Sequence, residues 1–359
     1  MFYETLFAKM PRKKSSIDTF EGTSRSPVSL KQLATHLNLS PTTLSWVLND
    51  SPSASSIPHE TKERIRAAAR HFKYRPNFLA RSFRAQKTHT LGVMVPELSD
   101  GYSSMVLSGV EDALLEAGYF YFLASHRHRE NLLEFYPQMF VDRRVEGIIA
   151  VDTNFEMPGE VPIVSVSGIK AHGHASIRLN HDHAASIALD HLIALGHSKI
   201  AFIKGQDFSS DTEVRWRAIR KAASERGIRI DSDLVSQLEG DTPSPEIGLQ
   251  ATRTILATRK PFTAIFAFND VSAIGAIRAL ENAGLSVPDD VSVLGFDDIY
   301  AAAFQNPALT TIRQPLFEMG QLAAKTLLEL LNRKSDLSEP KVLTVEPTLI
   351  VRDSTAPAV

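Results

Sequence analysis

The residues best placed to do chemistry gather at a few positions. Ser40-Pro41-Thr42-Thr43 reads as a helix start. Ser is a favoured N-cap and Pro fits the first helical position. Two threonines then stand at an exposed helix N-terminus, where they can bond base edges or touch a thymine methyl; the plainer alternative is that they only fill the first turn. Histidines come in close pairs, His126/His128, His172/His174 and His181/His183. Such spacing invites a metal, yet no carboxylate or Cys completes a recognisable ligand set, so no metal is expected and solvated loop histidines are the simpler reading. Catalytic signatures are missing: there is no phosphate-cradling Gly-Lys-Ser/Thr loop, no Gly-x-Ser-x-Gly elbow and no His-Glu-x-x-His. The sequence therefore predicts a binding protein without a cofactor, not an enzyme.

The elements that must position Thr42 and Thr43 are legible around them. Leu30, Leu33, Ala34 and Leu37 fall at i, i+3, i+4 and i+7, one apolar stripe of a helix. Asn38 stands where a left-handed turn residue is wanted, and Leu39 can plug the space between two helices. Leu44, Val47 and Leu48 give the second helix its buried side. Two short helices joined by such a turn form a helix-turn-helix, whose second helix enters the major groove; an ordinary helical hairpin is the alternative. A third helix is predicted over 59–72, with Ile65, Ala68, Ala69 and Phe72 as its stripe. Arg75-Pro76-Asn77 breaks it, and a short segment, 78–85, follows. Residues 1–27, rich in Ser, Thr, Lys and Arg, read as a disordered arm, with Met10 a second plausible start.

Charge supports this reading. Residues 1–89 carry 15 Lys and Arg against 6 Asp and Glu, while the rest of the chain carries 24 against 35. A basic head on an acidic body suits a polyanion-binding module attached to something else, although a solvated basic tail would look alike. The chain has 359 residues, no cysteine and no apolar run of membrane-spanning length. No signal peptide is evident, so a soluble cytoplasmic protein is expected.

After Thr88 short apolar strands alternate with amphipathic helices. Strands are predicted at 91–95, 119–124, 147–151 and 162–166, with helices ending near 117 and 143. A second series places helices at 182–195, 212–227, 246–258 and 271–283 and strands at 199–204, 264–268 and 291–294. Continuous apolar strands between helices imply parallel sheets covered on both faces, and two series imply two doubly wound lobes. Ligands bind at the carboxyl ends of such strands, and a cleft between lobes can trap one.

The order of these parts resembles the lactose-repressor/galactose-repressor (LacI/GalR) family from about Val28 to the C-terminus. Val28-Ser-Leu-Lys-Gln-Leu-Ala34 and Ser40-Pro-Thr-Thr-Leu-Ser-Trp-Val-Leu-Asn49 resemble its headpiece, and Tyr74-Arg-Pro-Asn-Phe-Leu-Ala-Arg-Ser-Phe83 its hinge. His191-Leu-Ile-Ala-Leu-Gly-His197, Ile200-Ala-Phe-Ile203, Phe268-Asn-Asp270, Val293-Leu-Gly-Phe-Asp-Asp298 and Leu309-Thr-Thr-Ile-Arg-Gln314 resemble its sensing core, and Val351-Arg-Asp-Ser-Thr355 its ending. The resemblance implies an all-α helix-turn-helix head with a hinge helix over 28–88 and a periplasmic-binding-protein-like α/β core over 89–359. Lobe one would hold about 89–180 and 316–340, and lobe two about 181–313 and the C-terminal end, with three crossings between them. It implies a homodimer or tetramer on a near-palindromic double-stranded DNA operator, no membrane partner, and closure of the lobes on a sugar or sugar phosphate effector.

Within that frame Pro41, Thr42, Thr43 and Trp46 are candidates to read bases, and Ser29, Lys31, Ser45 and Asn49 to hold phosphates. Asn77, Ala80, Arg81, Phe83 and Arg84 would serve the hinge, Phe83 as a minor-groove wedge where relatives usually carry Leu. Trp46 stands where relatives often carry Arg. Among ligand candidates, Arg215 can grip two adjacent hydroxyls and Asp297 can accept from two more, the way a buried site reads a polyol. Asn269, Gln314 and Tyr102 match further ligand-side positions, and Asp211 is a weaker candidate; structural contact between lobes is the alternative for each. A transport-type binding protein would share the core, but it would need a signal peptide and have no use for the head.

Overall fold

The computed structural model describes residues 28–74, 87–99, 101–153, 155, 161–167, 175–240, 244–332 and 341–359. The hinge candidates Asn77, Ala80, Arg81, Phe83 and Arg84, the histidines His172 and His174, and the arm lie outside the described residues. The chain divides into two compact units, Met1–Gln86 and Lys87–Val359.

The first unit holds α1 (Leu30–Leu37), α2 (Pro41–Leu48) and α3 (His59–His71). Ser29 and Gln32 form a reciprocal capping box that starts α1. Asn38 ends it in the left-handed region at φ 54°, the turn that the sequence predicts. Ser40 caps α2 through the Thr43 amide, with Pro41 at the first turn. Leu33, Ala34, Leu44, Val47, Ile65 and Ala69 close a small core over which Leu39 packs.

The second unit is built from two six-stranded sheets. Lobe one contains β1 (Thr90–Val95), β2 (Phe120–Ser125), β3 (Ile148–Val151), β4 (Ile163–Val166), β5 (Ala175–Leu179) and β11 (Lys341–Val345). Its helices are α4 (Tyr102–Glu116), α5 (Glu130–Asp142) and α11 (Leu316–Asn332). Lobe two contains β6 (Ile200–Lys204), β7 (Val235–Gln237), β8 (Ala264–Phe266), β9 (Ser292–Asp297), β10 (Thr310–Arg313) and β12 (Thr348–Ile350). Its helices are α6 (His181–Ala194), α7 (Ser210–Glu225), α8 (Pro245–Ala257), α9 (Asp270–Asn282) and α10 (Tyr300–Phe304). The strand orders match, β11-β5-β4-β3-β1-β2 and β12-β10-β9-β8-β6-β7, so both lobes reverse strand order beside their first strand. The chain passes between them after β5, after β10 and after β11.

Two features depart from the sequence expectation. The sheets are not wholly parallel and covered, because β12 runs antiparallel to β10, and β2 is an edge strand that leaves Phe120 and Leu123 exposed. Strands β5, β7, β10, β11 and β12 are too short or too polar to stand out from loops in sequence; pairing with a neighbouring strand makes them.

Helices α4 and α11 cross so closely that each presents a glycine to the other. A methyl on Gly109 would stand 1.9 Å from the Phe317 carbonyl oxygen, and one on Gly320 2.0 Å from that of Val106. The obstruction is backbone, so no side chain can swing aside. Gly109→Ala should therefore lower stability by about 2–3 kcal/mol, despite the roughly 1 kcal/mol by which Ala favours an isolated helix. Urea denaturation of the full chain checks this; an unchanged midpoint would mean that the helices can slide apart.

Candidate functional site

In the head, α2 separates two faces. Leu44 and Val47 are buried, while Pro41, Thr42, Trp46 and Asn49 are exposed. Trp46 keeps 38% of its surface open on a small three-helix unit, so its indole is not the head's core. Thr42 has no side-chain bond among the described residues. The Thr43 hydroxyl is already paired with Ser40 at 2.8 Å, so part of its bonding capacity serves the cap. Asn49 donates its amide to the Ser45 carbonyl oxygen at 2.8 Å, which fixes these two residues on one turn. Ser29 is engaged in the capping box, and Lys31 is exposed. An exposed helix face with hydroxyls, an amide and an indole, on a unit that also exposes Lys31, Arg64 and Arg70, offers both base-edge and phosphate contacts.

In the core, a cleft between the lobes is lined by Tyr102, Asp152, Asp211, Arg215, Asn269 and Asp297, together with Glu97, His128, Phe208 and Phe268. The space between these side chains, counting the part open to solvent, is about 680 Å³. The cleft lies at the carboxyl ends of β3, β4 and β9. Asp152, Ser167 and Asp297 take positive φ there, at 39°, 62° and 108°. Such backbone costs roughly 1–3 kcal/mol per residue and persists only where its surroundings dictate it.

Arg215 is 4% exposed. Its guanidinium carbon lies 4.3 Å from the Phe268 ring centre and 3.7 Å from that of Phe296. One terminal nitrogen donates to the Phe268 carbonyl oxygen, and the other lies 3.6 Å from Asp211. Its Nε–H has no partner. Burial pushes the Asp211 carboxyl up, but His181, 3.7 Å away, and Arg215 outweigh that and hold it at about 2. Asp211 is thus an integral part of the cleft and not the marginal candidate that its sequence position suggests. Tyr102 donates to or accepts from the Ser167 hydroxyl at 2.8 Å; burial and then the charge of Asp211 push its phenol well above 10. Asn269 spends its side-chain oxygen capping α9 through the Ser272 amide, at 2.9 Å.

Gln314 departs from its predicted place. It is 1% exposed, does not line the cleft, and donates to Asp297 at 2.6 Å. Its position lets it hold the carboxylate that faces the cleft. The histidine pairs depart as well. His126 is buried, bonded to Thr153 at 3.0 Å, and held down at about 4 by burial and by His128. His128 lines the cleft against Phe208, with ring centres 3.8 Å apart. His181 is buried too, and His183 meets Glu346 at 2.7 Å. No cluster of metal-ligating side chains occurs among the described residues.

Comparison with known proteins places this geometry. The chain is 30% identical to the HTH-type transcriptional repressor PurR of Pasteurella multocida, over 91% of this chain and 98% of that one. The chain belongs to the LacI/GalR family of transcription regulators. A periplasmic binding protein-like domain model matches residues 189–355. A solved lac repressor dimer, bound to operator and an anti-inducer, is similar in fold with a TM-score of 0.81 and 25% identity, covering 92% of this chain and 100% of that one. A complex of the regulator CelR with cellobiose is similar at a TM-score of 0.68 and 26% identity, covering 91% and 99%.

Sequence reasoning missed Asp152, Ser209 and the ring of Phe268 as parts of this LacI/GalR cleft. A readable sign existed for Asp152, an acid placed directly after a buried apolar strand, where α/β proteins gather their ligands. Phe268 gave no such sign, because its role is to face a guanidinium that is distant in sequence.

Gln314→Leu should lower stability by about 1–3 kcal/mol, since the buried Asp297 carboxylate loses a donor that an apolar side chain cannot replace. Denaturant unfolding of the full chain measures it; a change below about 0.5 kcal/mol would mean that water takes over the bond.

Proposed function

We propose that the chain is a transcriptional repressor that binds an operator as a homodimer through its head and answers to a sugar-like effector held between the lobes of its core. The observation that carries this reading is the split character of α2, with Leu44 and Val47 buried and Pro41, Thr42, Trp46 and Asn49 presented outward. A transport-type binding protein has no use for such a helix. Trp46 carries one indole donor and no charge, so contact with a thymine methyl or the sugar-phosphate wall suits it better than the bidentate guanine contact an Arg would make. By resemblance, Asn77, Ala80, Arg81, Phe83 and Arg84 complete the contact, with Phe83 as the wedge. The exposed Phe120 and Leu123 on edge strand β2 suit burial against a second copy. As an operator-binding protein with no helix among the described residues long and apolar enough to cross a membrane, it is assigned to the cytoplasm.

Gel-shift with fragments of the gene's own upstream region tests the head. Binding should fall by roughly 10³–10⁵ between 50 and 200 mM salt, as for proteins that make six to ten phosphate contacts. A core fragment lacking residues 1–88 should not bind; binding by that fragment, or binding indifferent to salt, would reject the reading.

For the effector, the cleft favours an unphosphorylated polyol. Glu97, Asp152, Asp211 and Asp297 line it against Arg215 and His128, so an added phosphate meets mainly carboxylates. Arg215 and the Asp297 carboxylate, both lining the cleft, supply the donor and the acceptor that hydroxyls need. Calorimetry against a panel of mono- and disaccharides and their phosphates should find a neutral sugar bound more tightly than its phosphate. Asp297→Ala should abolish the effect of that sugar on operator binding while leaving operator affinity within about threefold of the wild type. Tighter phosphate binding, or a fully responsive Asp297→Ala variant, would move the site or change the ligand class.

A further inference from the structure

Helix α7 carries both Asp211 and Arg215, yet its own N-cap residue does not cap it. Ser209 makes no side-chain bond to the first turn, whereas Asn180, Ser244 and Asn269 each cap the neighbouring helices α6, α8 and α9 of the same lobe. The acceptor comes from the opposite lobe. Asp152, at the end of β3 in lobe one, accepts from the Ser210 amide at 3.2 Å and from the Ser210 hydroxyl through one oxygen, and from the Ser209 hydroxyl at 3.3 Å through the other. A carboxyl group at a helix N-terminus gives orphan amides an acceptor oxygen, whether it is ionised or protonated. Here that favourable contact exists only while the two lobes are together.

We propose that Asp152 is an inter-lobe latch and a positioning residue: it caps α7 across the cleft, so that lobe closure and the placement of Asp211 and Arg215 occur as one event. Of the effector reading, the inference needs only that the lobes open and close. Opening leaves the first amides of α7 to water.

The latch is also proton-linked. Burial and the nearby Asp211 charge push the Asp152 carboxyl up to about 7. The ionisable groups that face it are Asp211 and Arg215 on α7, Tyr102 on α4, His181 on α6 and Asp297 on β9, with Glu97 and His128 at the rim. In the open state its carboxyl returns to the ordinary range near 4. A group whose closed-state pKa is the higher one takes up a proton on closing. The resulting stabilisation is complete below about pH 4 and is lost as pH rises through about 7. The closed-to-open ratio should therefore fall between pH 6 and 8.

Because the chain has no cysteine, two introduced labels report one distance. Glu134→Cys on α5 and Arg220→Cys on α7 are exposed positions in opposite lobes. Full-length labelled chains, diluted into excess unlabelled chain without added sugar, are followed by single-molecule energy transfer. The expected result is a mainly short distance at pH 6 that lengthens at pH 8. Asp152→Ala should show mainly the long distance at both pH values. Asp152→Asn, which keeps an acceptor for Ser210 but cannot titrate, should stay short at both. Histidines that titrate in this window remain in the Asn variant, so any opening they cause is seen there. An Ala variant as closed as the wild type, or an Asn variant that opens with pH like the wild type, would overturn the proposal. Either result leaves the effector titrations above untouched, so failure of the latch and failure of the cleft reading are distinguishable.

Discussion

A guanidinium buried to the extent of Arg215 has to be compensated on every side, because an unpaired buried charge costs several kcal/mol. The core meets that demand with two aromatic faces, one backbone carbonyl and one carboxylate. Each partner comes from a different part of lobe two: Phe268 follows β8, Phe296 lies on β9 and Asp211 lies one turn earlier on α7. The apolar face of α7, Ala218, Ile219, Ala222 and Ala223, seats it on the lobe-two core, and housing this cation constrains its first turns further. The donor left over, its Nε–H, is buried without a partner, and the two ring faces hold the plane of the group.

The surrounding cleft is acidic and strained, and the two properties belong together. Asp152 and Asp297 sit at strand ends in left-handed conformations, which turn their carboxylates toward the space between the lobes. Asp297 is steadied by Gln314, and the loop behind it by Asp270. That carboxyl is fully buried, is pushed to about 7 by burial, and accepts from the Ile299 amide and the Thr311 hydroxyl. Asp211 is held ionised by its neighbours and in turn pushes up Asp152. One carboxylate stays charged to compensate Arg215, and the other becomes sensitive to whether the cleft is shut.

Both lobes use the same construction to make such a cleft possible. In each, two helices approach until a glycine replaces any side chain between them, Gly109 and Gly320 in lobe one and Gly248 and Gly275 in lobe two. These contacts leave no room for a side chain between the paired helices of either lobe. The lobes are joined by the three connections after β5, β10 and β11 and by side chains that bridge the gap, Asp152 among them.

The sequence by itself determined the head and the kind of fold. Ser29, Asn38, Ser40 and Pro41 encode caps and a turn through local geometry, and the apolar stripes of α1, α2 and α3 follow from helical periodicity, so nothing distant is needed to read them. The alternation of buried strands and helices likewise announced two doubly wound lobes. Arg215, Asp211 and Asp297 were legible as residue types suited to a polyol, at positions that the family resemblance supplies. Only the tertiary structure decided that Gln314 stands behind Asp297 and away from the cleft, that His126 and His181 are buried, and that β2 keeps an open face. It alone brought Asp152 to the N-terminus of α7, some 58 residues further along the chain. The physical reason is that capping, periodicity and turn chemistry act over three or four residues, whereas burial, charge compensation and strand pairing are set by whichever residues the fold brings within a few ångströms.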